Sequence, residues 1–349
     1  MAGMESDVAA MLLEGIPMPL VLISAEERVE VANAAARALL GEGIVARHYL
    51  MAMRQPDLLE AIDAARTQGL AGQARHVRTG AGSPSTYRVT VSPAGDGLRR
   101  RVLCAFEDIS EVEQIGQMRR DFVANVSHEL RTPLTALLGF IETLRGNARD
   151  DPAARERFLG IMEREALRMN RLVRDLLSLG RVEAEERVRP TERVDIASIA
   201  GSVVAILRPM AAAQQVAIQL EGAEKPAIVA ADPDQMTQVL HNLIENAVKY
   251  GGAGKTVTVA LDLAPWDERL RGPALSVRVT DQGDGIDPVH LPRLTERFYR
   301  VDSHRSRAQG GTGLGLAIVK HIVNRHRGQF RIESEIGKGS TFTVLLPAG

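Results

Sequence analysis

Apolar positions in this chain change their spacing from one region to the next. Between Val126 and Leu144 they recur every three or four residues, at Val126, Leu130, Leu134, Leu137, Ile141 and Leu144, which predicts the seam of a helix in a bundle. The polar stretch from Asn147 to Pro152 predicts a turn, with Pro152 opening the next helix. A second helical stripe follows at Phe158, Ile161, Met162, Leu167, Leu172, Leu176 and Leu179. Two antiparallel helices cannot bury two such stripes well alone. Pairing with a second chain would complete a four-helix bundle, so a homodimer is expected.

On either side of this hairpin the pattern is that of short strands and helices. Upstream, strands are predicted at Leu20–Ile23, Val29–Ala32, Arg75–Thr79, Tyr87–Val91 and Arg101–Phe106. Asn33 is placed to cap a helix Ala34–Leu40 that Gly41 stops, and Pro56–Thr67 has a helical pattern. Glu107–Met118 contains no proline and predicts a helix running on into the first bundle helix. Arg181–Thr191 is charged and unpatterned and reads as a hinge. Downstream, helices are predicted at Ile196–Met210, Asp232–Lys249 and Leu314–His326. Strands are predicted at Val216–Leu220, Ile228–Ala231, Val257–Leu263, Leu275–Thr280, Phe330–Ile332 and Thr341–Leu346. The expected class is therefore multidomain α+β, divided at residues 8–108, 109–120, 121–182 and 192–349.

Composition narrows the function classes. The 349 residues suit two or three domains. A formal net charge of -1 gives no electrostatic case for nucleic acid, and 3% aromatics leave little for base stacking. The one cysteine, Cys104, lies in a strand-like run and reads as a core thiol, which suits a reducing cytosol. No apolar run approaches the ~20 residues of a membrane span. The expectation is a cytoplasmic protein, membrane-associated only if the native protein carries spans absent from this sequence. His48 and His76 read as surface or structural side chains, and no sensory ligand is named by them.

One position on the bundle helix carries chemistry. His128 falls off the apolar seam, so its imidazole is expected to face solvent. Glu129 follows it, Thr132 lies one turn on, and Pro133 removes a helical hydrogen bond at a cost of roughly 3 kcal/mol, so a bend is expected there. Read alone, this is also a surface histidine on a kinked core helix. However, Phe122-Val-Ala-Asn-Val-Ser-His128-Glu129-Leu-Arg131-Thr132-Pro133-Leu-Thr135 resembles the phospho-acceptor box of bacterial sensor histidine kinases. The resemblance implies a dimeric bundle, preceded by a signal helix, in which His128 takes a phosphoryl group. The upstream pattern, with Val31-Ala32-Asn33-Ala34-Ala35 and Leu40-Gly41, resembles a PAS sensor domain.

Four downstream clusters point to a nucleotide. Asn242 and Asn246 of Asn242-Leu-Ile-Glu-Asn246-Ala-Val-Lys249-Tyr250 are four apart on one helix, and an amide oxygen suits Mg²⁺ already on phosphates. Lys249 adds positive charge. Asp281 can accept from the exocyclic amine of adenine, while Gly283 and Gly285 admit close backbone approach. Glu296-Arg297-Phe298-Tyr299-Arg300 supplies Arg297 and Arg300 to phosphates, followed by an unpatterned lid from Val301 to Gln309. Gly310-Gly311-Thr312-Gly313-Leu314-Gly315 opens a helix and forms a phosphate cradle. In order and spacing these clusters resemble the N, G1, F and G2 boxes of the Bergerat-type ATP fold. The implied cofactors are ATP and Mg²⁺, the metal on Asn246.

ATPase members of that fold carry a glutamate base where this chain has Asn242; Glu245 lies on the same helix but is expected to face elsewhere. The phosphate then needs another acceptor, and His128 supplies it. Glu129 is expected to accept from His128 Nδ1–H, and Nε2 to attack the γ-phosphate. The phosphoryl group would pass to an aspartate of a response regulator, and Thr132 would position water for regulator dephosphorylation. A soluble PAS before this core resembles the cytoplasmic part of a PhoR-type phosphate-regulon sensor. Rival readings are a Bergerat-type ATPase, which Asn242 disfavours, and a non-catalytic binding module, which the intact ATP clusters disfavour.

Overall fold

A computed structural model describes residues 11–78, 85–95, 100–301 and 311–348. The chain separates into two units, one reaching to Ala124 and one starting at Asn125. The expected strand end at Thr79 and the lid residues 302–309 lie outside the described residues, as does Gly310.

The first unit is built on an antiparallel sheet in the order β2-β1-β5-β4-β3. Its strands are Leu20–Ile23 (β1), Val29–Ala32 (β2), Gly72–Arg78 (β3), Ser85–Ala94 (β4) and Arg101–Asp108 (β5). Alternation decides the buried face: Val102, Cys104 and Phe106 of β5 point in, beside Val89 and Val91 of β4. Helix α2 (Pro56–Gln68) closes that face with Leu58, Ile62 and Ala65. Helix α1 (Ala34–Leu40) is capped by Asn33 as expected. Fully buried, Asn33 accepts through Oδ1 from the N–H groups of Leu20 and Ala36, and donates through Nδ2 to the carbonyls of Leu13, Ile16 and Met18. Burial pushes the Cys104 thiol up to about 12, so it behaves as an apolar core group. His48 pairs with Glu27 at 2.9 Å, and buried His76 bonds Gln55 at 2.6 Å, so both have structural partners.

At both ends of the hairpin the boundaries differ from expectation, and several strands run longer than expected, β9 to Asp267 among them. Glu107 and Asp108 finish β5 rather than start a helix, because Arg88 and Tyr87 of β4 pair with them. The long helix α3 is therefore Ser110–Arg145. At the other end, α4 (Pro152–Glu185) runs five residues into the expected hinge, leaving 186–192 as the connection. Its N-terminus is capped by Asp151, whose carboxylate accepts from the N–H groups of Ala153 and Ala154. Pro133 does not end α3, which continues through it as one helix with the ring buried.

The second unit joins this hairpin to an α/β layer. Phe140 stacks on Phe158 across the hairpin at 5.3 Å. Part of the predicted seam stays open on one chain: Leu134 and Ile141 on α3 and Leu167 on α4 are exposed, as are Leu138 and Leu177 outside the seam.

In the α/β layer, the sheet order is β11-β12-β10-β9-β7, antiparallel except where β7 (Ala217–Glu221) meets β9 (Thr256–Asp267). The other strands are β10 (Gly272–Thr280), β11 (Gln329–Glu335) and β12 (Gly339–Pro347). β6 (Arg193–Asp195), which the sequence pattern does not reveal, pairs with β8 (Ile228–Ala230) in a separate ribbon. Helices α5 (Ile196–Ala213), α6 (Pro233–Tyr250) and α7 (Gly315–Arg325) cover the main sheet. By length and composition α5 is apolar enough to cross a bilayer, which amends the expectation that no such run exists. It nonetheless buries Ala200, Val203, Val204 and Leu207 against α6 and the sheet.

His326, just past α7, is buried. Its Nε2 accepts the N–H of Asp232, the N-cap of α6, at 3.0 Å, and its Nδ1–H donates to the Ile322 carbonyl. This arrangement requires the neutral ring, and burial lowers its pKa. A group that protonates more readily in the unfolded chain stabilises the fold above its unfolded pKa of ~6.5, and that stability is lost as pH falls below it. Between pH 7.5 and 5.5 the melting temperature of His326→Gln should therefore fall less than that of the wild type, as measured by calorimetry at both pH values.

Candidate functional site

A cavity of about 740 Å³ opens in the second unit. Helix α6 forms one wall. Its polar positions Asn242, Glu245, Asn246 and Lys249 recur at helical spacing, opposite the buried stripe Met236, Val239, Leu240, Leu243 and Ile244. The expected pair Asn242 and Asn246 thus does share a face. Asn242 Nδ2 donates to the Gly315 carbonyl at 3.4 Å, which joins α6 to the start of α7. Glu245 does not face elsewhere as expected: it lines the same cavity and holds Lys249 at 2.9 Å.

The turn after β10 forms the second wall. Asp281 is buried, and its Oδ1 accepts from the N–H groups of Gly283 and Ser340. Burial raises its pKa, an effect these two hydrogen bonds and Lys255 oppose. Its other oxygen is left to the cavity. A Cβ on Gly283 would stand 2.2 Å from the Tyr250 carbonyl oxygen. Gly285 combines a left-handed φ of 72° with a Cβ position 2.1 Å from the Glu335 carbonyl oxygen. The turn can thus lie flat against α6 and β11 only as glycine.

Thr312, Gly313, Leu314 and Gly315 lead into α7. Gly311, Thr312, Gly313 and Gly315 line the cavity, whereas Leu314 points into the core. Phe298 N–H donates to the Gly313 carbonyl at 2.8 Å, fastening the segment before the lid to the cradle. Arg300 lines the cavity with a side chain only 7% exposed. Arg297 does not line it: its guanidinium turns to Glu183 of α4 at 2.6 Å.

The acceptor region lies outside the lining. His128 is exposed and, among the described residues, makes no hydrogen bond through its ring. Thr132 Oγ1 donates to the His128 carbonyl at 3.1 Å. Glu129 departs from expectation. Its carboxylate accepts from Arg168 of α4 at 2.6 Å and from Arg300 at 3.2 and 3.3 Å, rather than from His128. Three charge-assisted bonds from two guanidinium groups outweigh one from an imidazole.

Sequence reasoning missed the contribution of α4. Arg171, Arg174, Asp175 and Ser178 line the cavity from the bundle side. Asp175 accepts from Thr312 Oγ1 at 2.6 Å, and Ser178 meets Gln238 at 2.8 Å. The spacing 168, 171, 175, 178 marks a polar stripe in the sequence, but nothing in it says what the stripe faces.

The residues fit a nucleotide: an amide wall, a buried carboxylate at a glycine turn, and a glycine-rich helix start. For a metal, Asn246 faces the cavity, and no cluster of three or more His, Cys, Asp or Glu side chains suited to a metal occurs among the described residues. Such an ion would depend on the phosphates for its remaining ligands.

A helical hairpin bearing an exposed histidine, joined to an ATP-binding α/β layer, defines a class of phospho-acceptor proteins. Residues 118–185 match the His Kinase A (phospho-acceptor) domain. Residues 231–349 match the Histidine kinase-, DNA gyrase B-, and HSP90-like ATPase family. The chain belongs to the two-component sensor histidine kinases. It is 43% identical over 245 residues to the phosphate regulon sensor protein PhoR of Pseudomonas aeruginosa, covering 70% of this chain and 53% of that protein. It is 39% identical over 252 residues to the sensor-like histidine kinase SenX3 of Mycolicibacterium smegmatis, covering 72% and 63%. With WalK of Bacillus subtilis it shares 38% over 252 residues, covering 72% and 40%. The chain spans about half the length of these relatives. The structure of histidine kinase ThkA in complex with response regulator protein TrrA has the same fold, with a TM-score of 0.52 and 20% identity over 97% of this chain and 98% of that one.

Gly285→Ala should destabilise the second unit by about 1–3 kcal/mol from backbone strain, and by more from the carbonyl in its way. Gly337→Ala, with a similar φ of 80° and no neighbour within 4 Å of its Cβ, should cost only the strain. Urea unfolding of the two variants checks the difference.

Proposed function

We propose that this protein is an ATP-dependent kinase that phosphorylates itself on His128 and passes the phosphoryl group to an aspartate of a response regulator. The observation that carries this reading is the pairing, within one unit, of an exposed imidazole on a bundle helix with a cavity built to hold a nucleotide. Asn242 on that cavity's helix leaves no carboxylate at the position where ATPase members of the fold activate water.

In the proposed reaction, His128 Nε2 forms a bond to the γ-phosphorus as the bond to the bridging oxygen breaks, and ADP leaves. Asp281 reads the adenine amine. Thr312, the neighbouring backbone N–H groups and Arg300 hold phosphates, and Lys249 adds charge beside them. Asn246 would ligate Mg²⁺, which neutralises charge developing on the phosphates. Glu129 accepts from His128 Nδ1–H once Arg300 has left it and one of its oxygens turns from Arg168. Because His128 lies outside the cavity lining, transfer requires the α/β layer to move about residues 186–192.

The exposed leucines of α3 and α4 support a homodimer with a four-helix core. The five-stranded first unit supports a PAS-like sensor over 8–108, followed by a signal helix over 109–120, a phosphotransfer hairpin over 121–182 and a catalytic domain over 192–349. A role in phosphate signalling is proposed from the likeness to PhoR. A cytoplasmic reaction is proposed, supported by the use of ATP. Thr132 is proposed to position water for regulator dephosphorylation after its hydroxyl leaves the His128 carbonyl.

Incubated with γ-labelled ATP, His128→Gln should take up no label, and acid-labile label retained on the variant would end the scheme. Thr132→Ala should keep at least half of the autophosphorylation rate while slowing release of phosphate from a labelled regulator several-fold. Equal losses in both assays would remove the assigned role.

A further inference from the structure

The bundle places carboxylates on the groups that a nucleotide's phosphates need. Asp175 Oδ2 takes the Thr312 hydroxyl at 2.6 Å, in the middle of the glycine cradle, and Thr312 Oγ1 also meets the Leu314 N–H at 3.3 Å. Glu129 engages Arg300 with both oxygens, at 3.3 and 3.2 Å. Both receiving groups line the cavity. Arg300 is nine-tenths buried there, and its Nε has no partner among the described residues. That donor fork is only part-used by Glu129.

A carboxylate and a phosphate oxygen are both anionic acceptors, and each suits a hydroxyl or a guanidinium. Two of them cannot share one donor at hydrogen-bond distance without strong repulsion. We propose that Asp175, with Glu129, is an internal phosphate mimic: it occupies Thr312 and Arg300 while the α/β layer is docked on the bundle, and the phosphates of ATP displace it. The proposal rests on reading the cavity as an ATP site. Burial raises the Asp175 pKa against the opposing hydrogen bond from Thr312, so the docked carboxylate sits in surroundings that do not favour its charge and is readily displaced.

Two consequences follow from linkage. Whatever weakens the bundle contact tightens phosphate binding, and by the same factor phosphate binding weakens the contact. Displacing Glu129 from Arg300 leaves the carboxylate next to His128 with Arg168 alone, so arrival of the phosphate donor loosens the group that assists the acceptor.

The test is calorimetric titration of the full chain with a non-hydrolysable ATP analogue and, separately, with adenosine. Asp175→Ala should bind the analogue about five-fold or more tightly than the wild type, at the low end of typical coupling between sites. Adenosine, which has no phosphate, should bind both proteins equally. Asp175→Asn keeps the shape and loses the charge, and should shift the analogue in the same direction by a smaller factor. Unchanged or weaker analogue binding in both variants, or equal tightening for adenosine, would overturn the proposal. A wild-type protein that binds adenosine and analogue with no measurable affinity would overturn the ATP-site reading itself, and the proposal with it.

Discussion

The Glu129 carboxylate is the point on which the second unit turns. It is tied to Arg168 on the other bundle helix and to Arg300 of the nucleotide-binding layer, and all three side chains are largely out of water. Breaking such a buried pair by losing one partner costs about 3–5 kcal/mol, because a charge is stranded. Exchange is different from loss. A second anion that arrives as the first leaves keeps every charge compensated, so the contact resists thermal opening yet yields to a competing ligand. The neighbouring contacts share this character: Arg297 on Glu183 and Thr312 on Asp175 also join polar groups that are only part-exposed.

The nucleotide cavity depends on backbone packed against backbone. The Asp281 turn is pinned by β12 through the Ser340 N–H, by α6 through the close approach at Gly283, and by β11 through Gly285. Side chains there have little freedom because the chain itself is fixed, which is what keeps the one unengaged carboxylate oxygen aimed into the cavity. On the opposite side, Phe298 and Gly313 lock two loops by a single amide hydrogen bond. In the proposed reading the rigid parts hold the base, and the adjustable ion pairs sit where the phosphates would be.

Much of this was legible in the sequence where local physics governs. The Asn33 cap, the turn before Pro152 and the strands β4 and β5 follow from residues a few positions apart, and these elements formed close to where expected. Errors came where distant pairing overrides local preference. Glu107 and Asp108 are good helix residues, but β4 recruits them into the sheet. β6 is three residues long and exists only because β8 lies beside it. For the site, the type and spacing of Asn242, Asn246, Asp281 and the glycines sufficed to group them. The orientation of Glu129 did not follow from its position after His128, because its partners lie 39 and 171 residues away. The same holds for Asp175: a carboxylate on a polar helix face reads as solvated until its neighbour is known.

Strand β12, buried along nearly its whole length between β10 and β11, comes after both of its sheet partners in the chain. Until Gly339–Pro347 has been made, β10 and β11 each keep a bare edge, and the Asp281 loop lacks its anchor at Ser340. During translation the hairpin of α3 and α4 can form first, while the cavity's second wall must wait for Gly339–Pro347. A product stalled or clipped before β12 would therefore carry an intact His128 hairpin beside a cavity that lacks its Ser340 anchor.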